Sequence, residues 1–202
     1  MSVTHLFCPK SRAVWVNPFL LIAAFLFLAP AYAEEDEGQY VETRYGLSLS
    51  YGNSYAPTGD IGFLLLSGMA LFDYDRIWPH RAPAALRFKV EGAAGATVAS
   101  EYRGKFMASM SVFALYYLDA LSGKALRSYI EGGIGVIYTD FQVEGQGLRF
   151  NFNPQFGIGA EFPRESKKPY FAALRLHHIS NAGLDDENKG INSIVFTLGR
   201  FF

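Results

Sequence analysis

A histidine and a serine two residues apart carry the chemistry that this sequence most clearly suggests. His178 and Ser180 lie in the stretch Leu174 to Asn181, whose alternating apolar residues are typical of a β-strand. Side chains alternate between the two faces of a strand, so both residues point the same way as Leu174 and Leu176. A serine hydroxyl is a weak nucleophile until a neighbouring base accepts its proton. The spacing therefore suggests a nucleophile and its base on an apolar face.

A second interpretation needs no catalysis. A histidine at a membrane interface, next to a serine at a strand end, can hydrogen-bond to lipid headgroups or to loop backbone. The spacing alone does not separate the two interpretations. Polar groups on a lipid-facing surface are costly and tend to be functional. The nature of the apolar face, protein core or lipid contact, therefore decides how the pair is interpreted.

The N-terminal residues predict an exported protein. They comprise a basic start at Lys10 and Arg12, an apolar run over 19–29, and the small-x-small sequence Ala31-Tyr32-Ala33 before Glu34. The run is short for a transmembrane helix, which needs about 20 apolar residues. We therefore expect a signal peptide over 1–33, cleaved after Ala33, and one mature domain over 34–202.

Composition narrows the class of the mature protein. Cleavage would remove Cys8, the only cysteine, and with it any disulfide or cysteine nucleophile. The net charge is −1 and no basic run is present, which argues against nucleic acid as a partner. Aromatic residues make up 16%, and no apolar run after residue 33 is long enough for a transmembrane helix. A periplasmic β-protein and an outer-membrane β-barrel remain.

Eight segments have strand character. They cover residues 40–51, 61–73, 84–95, 106–118, 127–139, 150–161, 169–181 and 191–202. Each is roughly 11–13 residues long, beyond the mode of about 5–6 in globular proteins. A tilted strand that crosses a bilayer needs about 9–11 residues. Strand length and an even strand number both favour a transmembrane barrel.

Alternation and the C-terminus support the same fold. Along 150–161 an apolar set of side chains alternates with a polar or small set, as in membrane barrels. A sandwich also alternates, so alternation alone does not choose. The chain ends on Phe202, which resembles the terminal aromatic signal read by the outer-membrane insertion machinery. We predict an all-β fold, an eight-stranded antiparallel outer-membrane barrel, with a soluble sandwich as the alternative.

Orientation follows from counting strands. With the N-terminus in the periplasm, the seventh strand runs outward, which puts His178 and Ser180 at the outer rim, facing lipid. Side chains fill the interior of an eight-stranded barrel, so we expect no pore. Four polar residues are predicted to point inward and pair there: Glu91, Glu131, Arg175 and His177. Four tyrosines near strand ends are predicted to form an aromatic girdle: Tyr116, Tyr117, Tyr129 and Tyr138.

The residues around the histidine and serine carry a family resemblance. Residues 178–184 read H-I-S-N-A-G-L, followed by N-K-G-I at 188–191 and a final strand. This pattern resembles the lipid A 3-O-deacylases, eight-stranded outer-membrane barrels of Gram-negative bacteria that hydrolyse the acyl ester at the 3-position of lipid A. The motif is confined to the C-terminal region, and upstream only the architecture matches.

The resemblance implies a role for each residue of the motif. His178 would be the general base, Ser180 the nucleophile, and Asn181 part of the oxyanion hole. Attack on the acyl carbonyl would give an acyl-enzyme that water hydrolyses, with no metal and no cofactor. The implied substrate is lipid A or lipopolysaccharide in the outer membrane, and the oligomeric state stays open.

The third member of the implied triad departs from the family. A glutamate is expected on the last strand, and Asn192 stands in its place. An asparagine oxygen can fix the histidine tautomer, as in Cys-His-Asn proteases, but supplies no negative charge. Three acids of the adjoining loop are alternative sources of charge, or merely solvated or in contact with divalent ions: Asp185, Asp186 and Glu187. Asn192 also leaves open a non-catalytic barrel with a structural, adhesive or lipopolysaccharide-binding role. A phospholipase or acyltransferase at the same rim is a further alternative.

Overall fold

Nine strand segments form one closed antiparallel sheet in the computed structural model, which describes residues 42–77 and 82–202. The segments are Arg44–Ala56 (β1), Gly62–Asp73 (β2), Leu86–Thr97 (β3), Phe106–Tyr117 (β4), Arg127–Thr139 (β5), Phe150–Phe152 (β6), Gln155–Phe162 (β7), Tyr170–Ile179 (β8) and Ile191–Phe201 (β9). Two short 3-10 helices, Tyr74–Arg76 and Asp119–Leu121, lie in turns at one end. Pairing of β1 with β9 and of β4 with β5 closes the sheet into a barrel.

β6 and β7 are two parts of one barrel strand. Both pair with β5 in a single register. Pro154 between them has no N–H and interrupts the ladder, whereas the Asn153 N–H still donates to the Gly135 carbonyl at 3.0 Å. The barrel therefore has eight strands, and the predicted fold class is confirmed. The closed sheet excludes the sandwich.

The first strand lies further along the chain than predicted. The prediction of 40–51 is wrong, because β1 runs over Arg44–Ala56. Small polar residues that resemble a turn continue the ladder instead: Asn53 pairs with Gly62, and Ser54 points into the barrel, opposite Ser193. Cross-strand pairing overrides turn preference here. The predicted signal peptide lies outside the described residues.

The outer surface of the barrel is apolar. Alternate residues of each strand are exposed, among them Leu47, Leu49, Tyr51, Leu66, Met110, Phe156, Ile158, Leu174, Leu176, Ile194, Phe196 and Leu198. Soluble monomers rarely expose a continuous apolar surface of this extent, whereas outer-membrane barrels require one. Among residues 42–77 and 82–202, no helix combines the length and apolarity needed to span a membrane.

A balanced set of charges occupies the middle of the interior. Arg175 donates from Nη1 to Glu91 Oε1 at 2.8 Å and from Nε to Glu131 Oε1 at 2.7 Å. Lys89 forms an ion pair with Glu131 as well, so two cations face two carboxylates. Pairing makes burial of such charges tolerable. The predicted inward pairing is confirmed for Glu91, Glu131 and Arg175.

His177 points inward as predicted, but the prediction that it pairs with these charges is wrong. Its register partners are Gln155 and Ser193. It is the next inward-facing residue after Arg175 along β8, on the side of Ser180. Its ring lies 6.0 Å from that of Phe63, and Nδ1 has no hydrogen-bond partner. The offset along the strand keeps His177 out of the charged layer.

Apolar clusters fill the barrel on both sides of the charged layer. The cluster on the Ser180 side of the layer comprises Ile61, Phe63, Leu65, Met107, Ile137, Phe141, Val143, Ile179, Ile191 and Val195. The opposite cluster comprises Met69, Leu71, Leu115, Tyr117, Tyr129, Phe171, Ala173 and Phe201. Tyr117 and Tyr129 are thus interior residues, and their prediction as girdle residues is wrong because their strand parity turns them inward. Tyr116 is exposed, on the outer face.

Candidate active site

The pairing of β8 with β9 brings His178 and Asn192 together. The antiparallel register sets the two residues directly opposite each other. His178 lies on the outer face with Leu174 and Leu176, which are 49% and 53% exposed. Its Nδ1 lies 2.6 Å from Asn192 Oδ1. Because an amide oxygen only accepts, Nδ1 carries the proton and Nε2 is left as an acceptor.

Ser180 follows directly after β8, on the same side as His178. A pair of backbone hydrogen bonds with Phe152, at 2.8 and 3.0 Å, keeps it in extended geometry. Its side chain is only 6% exposed, so it is more shielded than a simple lipid-facing position would be. Among the described residues no hydrogen bond joins Ser180 to His178. Catalytic hydrogen bonds are often long in unliganded enzymes, and residues two apart on a strand have Cβ atoms within about 7 Å.

Asn181 links two loops at the outer end. Its Nδ2 donates to the Glu187 carbonyl at 2.8 Å and to the Gln146 carbonyl at 3.2 Å. Its Oδ1 accepts from the Gly183 N–H at 2.9 Å. The loop after β8 is thereby fastened to the loop after β5. In this arrangement the side chain shapes the turn behind Ser180, and its assignment to the oxyanion hole stays a prediction.

The turn after Ser180 has a backbone that sequence reasoning did not foresee. Ala182 and Gly183 both have positive φ, 56° and 83°, which is uncommon for a residue with a side chain. Strained backbone of this kind concentrates at functional sites. Asn188 supports the turn by accepting the Asn181 N–H at 2.8 Å. The only sequence signal for this geometry was the glycine two residues after Asn181.

Asp185 uses its carboxylate within the loop, and Glu187 takes part in the loop through its backbone. Asp185 Oδ1 accepts the Glu187 N–H at 2.9 Å, and the Glu187 carbonyl accepts from Asn181. In the described part of the chain, none of the carboxylates of Asp185, Asp186 and Glu187 is hydrogen-bonded to His178. The structure therefore brings an amide, and no acid, to the third position.

Comparison with known proteins shows the family to which the chain belongs. The sequence profile of the family described as "Lipid A 3-O-deacylase (PagL)" matches residues 27–200. Lipid A deacylase PagL of Pseudomonas aeruginosa is 30% identical over 142 residues, which cover 67% of this chain and 76% of that protein. The chain belongs to the lipid A 3-O-deacylase family. The resemblance, which rested on a C-terminal motif, is confirmed and extends over most of the chain.

Solved structures show the same fold. The crystal structure of the outer-membrane enzyme PagL superposes with a TM-score of 0.51 at 21% identity, covering 76% of this chain and 97% of that one. Neisserial surface protein A superposes with a TM-score of 0.59 at 13% identity, covering 79% of this chain and 95% of that one. At these identities the superpositions establish fold alone. With the family assignment, they make this lipid A 3-O-deacylase family member an outer-membrane barrel.

Proposed function

We propose that this protein is a serine-type lipid A deacylase that hydrolyses the 3-position acyl ester of lipid A from within the outer leaflet. The family supplies the reaction class, an ester hydrolysis. The observation that supports the serine mechanism is the His178–Asn192 hydrogen bond beside Ser180, on the apolar outer face. In this proposal the substrate ester reaches the pair without leaving the bilayer.

The proposed reaction begins with a proton transfer to Nε2 of His178. Asn192 holds Nδ1, so Nε2 accepts the proton of Ser180 as Oγ attacks the acyl carbonyl. The tetrahedral intermediate then expels the 3-oxygen of the sugar, which takes the proton from the imidazolium. Water attacks the resulting acyl-enzyme with His178 again as the base, and the free fatty acid leaves. All of these proton transfers use a single histidine.

The turn from Asn181 to Gly183 is the proposed place for the developing oxyanion. It follows the nucleophile directly, and two successive residues in left-handed geometry turn its backbone sharply. Backbone N–H groups in turns can bind anions, and the Ala182 N–H is the proposed donor, because those of Asn181 and Gly183 already donate to side chains. Asn181 contributes through the hydrogen bonds that hold the turn in shape.

Chemical labelling of the nucleophile tests this proposal directly. A fluorophosphonate probe should modify the folded barrel on one serine, and peptide mass spectrometry should identify it as Ser180. Ser180→Ala should abolish labelling, and so should His178→Ala, because the base is lost. Ser109→Ala, a partly buried strand serine on β4, is the matched control and should label like the parent. Labelling that persists in Ser180→Ala would exclude the proposed nucleophile.

Asn192 favours a second candidate function, a non-catalytic barrel with a structural, adhesive or lipopolysaccharide-binding role. Without an acid the histidine has no charged partner, as a barrel that had lost catalysis would show. A parent protein that neither takes the probe nor releases fatty acid would support this candidate. Release of fatty acid from phospholipid, with lipid A unchanged, would point to a phospholipase instead.

Export and assembly are proposed from the two ends of the chain. Cleavage after Ala33 would release the mature barrel, and the N-terminal sequence of the membrane-extracted protein tests it.

Phe202 is exposed, and its N–H donates to the Tyr45 carbonyl at 2.9 Å. We propose that this aromatic end is read by the barrel-insertion machinery. Deletion of Phe202 should lower the amount of heat-modifiable barrel in outer membranes, and unchanged assembly would contradict the proposal.

A further inference from the structure

Gly190, the residue before β9, lies directly against the ring of His178. A Cβ placed on Gly190 would stand 2.5 Å from His178 Cε1, 3.2 Å from its Nε2 and 3.1 Å from the Ile179 carbonyl oxygen. A contact of 2.5 Å is closer than real Cβ atoms come to a neighbour, so the ring or the loop must shift. Gly190 does not have the positive φ that favours glycine elsewhere in the chain. Position 190 therefore requires glycine because a side chain there would collide with the His178 ring.

Gly190 and Asn192 contact different edges of the same imidazole. Asn192 Oδ1 holds the Nδ1 edge at 2.6 Å. Gly190 lies at the edge formed by Cε1 and Nε2, which is the edge that would take the proton of Ser180. A methyl group at position 190 therefore displaces the ring from Asn192, and this displacement impairs proton transfer.

We infer that Gly190 is a positioning residue for the deacylation, because its missing side chain leaves the space in which the His178 ring keeps Nδ1 on Asn192 and Nε2 free. The inference rests on the proposed serine mechanism. It has particular weight in this chain, because the third group is neutral. Orientation of the base then depends on one amide hydrogen bond and on packing, with no ionic attraction to restore a displaced ring.

The substitution Gly190→Ala tests the inference, with Gly68→Ala as its matched control. Gly68 lies on β2, where an added Cβ would make only an ordinary contact of 3.8 Å with Leu47. Misplacement of a reacting group by about 1 Å can cost about 100-fold in rate. We expect kcat on lipopolysaccharide to fall about 100-fold in Gly190→Ala with KM unchanged. Labelling of Ser180 by the fluorophosphonate should slow by the same factor, and Gly68→Ala should match the parent in both.

A double-mutant cycle separates positioning from general damage to the loop. In an Asn192→Ala background the ring has lost its Nδ1 partner, so it has no preferred position left to lose. Gly190→Ala should therefore cost much less there than in the parent. Equal losses in both backgrounds, or a Gly190→Ala protein that labels at the parental rate, would overturn the inference.

A measurement on the unmodified protein keeps the inference testable if Gly190→Ala fails to fold. In the NMR spectrum of the folded barrel in detergent micelles, His178 Hε1 and the Gly190 α-protons should give a nuclear Overhauser effect. Its absence would overturn the inference even if Ser180 proves to be the nucleophile. A parent that shows the effect but takes no probe on Ser180 would instead refute the serine mechanism on which the inference rests.

Discussion

At the scale of single residues, Asn192 stands in the proposed triad where the family resemblance implies a glutamate. Asn192 supplies the hydrogen bond that fixes the His178 tautomer, at 2.6 Å, but supplies no charge for the imidazolium. The loop acids do not replace it, because no carboxylate of Asp185, Asp186 or Glu187 is hydrogen-bonded to His178 in the described part of the chain, and that of Asp185 accepts the Glu187 N–H instead. The proposed base, His178, is therefore oriented by a hydrogen bond but has no charged partner to stabilise its protonated form.

Restoring the acid should raise the rate. Replacing the acid of a serine protease by its amide costs about 10⁴ in rate, so we expect Asn192→Glu to raise kcat by at least about tenfold. Asn192→Ala should lower it, because Nδ1 loses its partner. Asn53→Glu is the control, since it adds the same charge to the same outer face. Asn53 is exposed and pairs with Ile194, two residues after Asn192 on β9. Fatty acid release from lipopolysaccharide measures all three, and a drop in Asn192→Glu would contradict the proposed role.

At the scale of elements, the loop after β5 and the loop after β8 form one unit behind Ser180. Asn181 bonds to carbonyls of both loops, and the Lys189 N–H donates to the Gly145 carbonyl at 2.6 Å. A Cβ on Gly147 would stand 2.3 Å from the Glu187 carbonyl oxygen. The loop after β5 thus helps to position the turn that follows Ser180.

Gly147→Ala should separate the two loops and lower activity while the barrel stays folded. Gly145→Ala is a close control, because both glycines have a positive φ, 75° and 81°, and a substitution at either costs about 1–3 kcal/mol of strain. Only the Gly147 substitution meets neighbouring backbone, since a Cβ on Gly145 makes ordinary contacts with Lys189. We expect kcat to fall more in Gly147→Ala than in Gly145→Ala. Equal activities would argue against coupling between the loops.

Sequence reasoning predicted most strands and the site strand, but not the contacts between loops. Alternation gave seven of the eight strands with starts within two residues of those observed, and it placed His178 and Asn192 on one face. It misplaced the end of β1, because the turn-like residues Asn53 and Ser54 continue the ladder where neighbouring strands pair with them. The hydrogen bond from Asn181 to the Gln146 carbonyl joins residues 35 positions apart. No local pattern encodes such a contact.

At the scale of the whole molecule, the buried charges in the middle of the barrel balance one another. Arg175 bridges Glu91 and Glu131, and Lys89 completes the set. Apolar clusters lie on both sides, so water has little access to screen an unpaired charge. The layer therefore ties three strands, β3, β5 and β8, together across the interior only as long as its charges remain paired.

Removing one member of the charged layer should destabilise the barrel. We expect Arg175→Met to lower the free energy of unfolding by about 3–5 kcal/mol, because Glu91 and Glu131 then outnumber their cation. Arg149→Met removes an exposed pair with Asp140 at the rim and should cost less than about 1 kcal/mol. Urea unfolding, followed by heat-modifiable migration, measures both. A similar cost for the two variants would contradict the account of the interior.

The most direct test of the central claim is the mass spectrum of lipid A from cells that express this protein. We expect the parent to remove one ester-linked acyl chain, from the 3-position, and Ser180→Ala to leave lipid A as it is in cells without the protein. Ser109→Ala should act like the parent. Identical lipid A in the parent and in Ser180→Ala, with both barrels folded in the outer membrane, would contradict the claim.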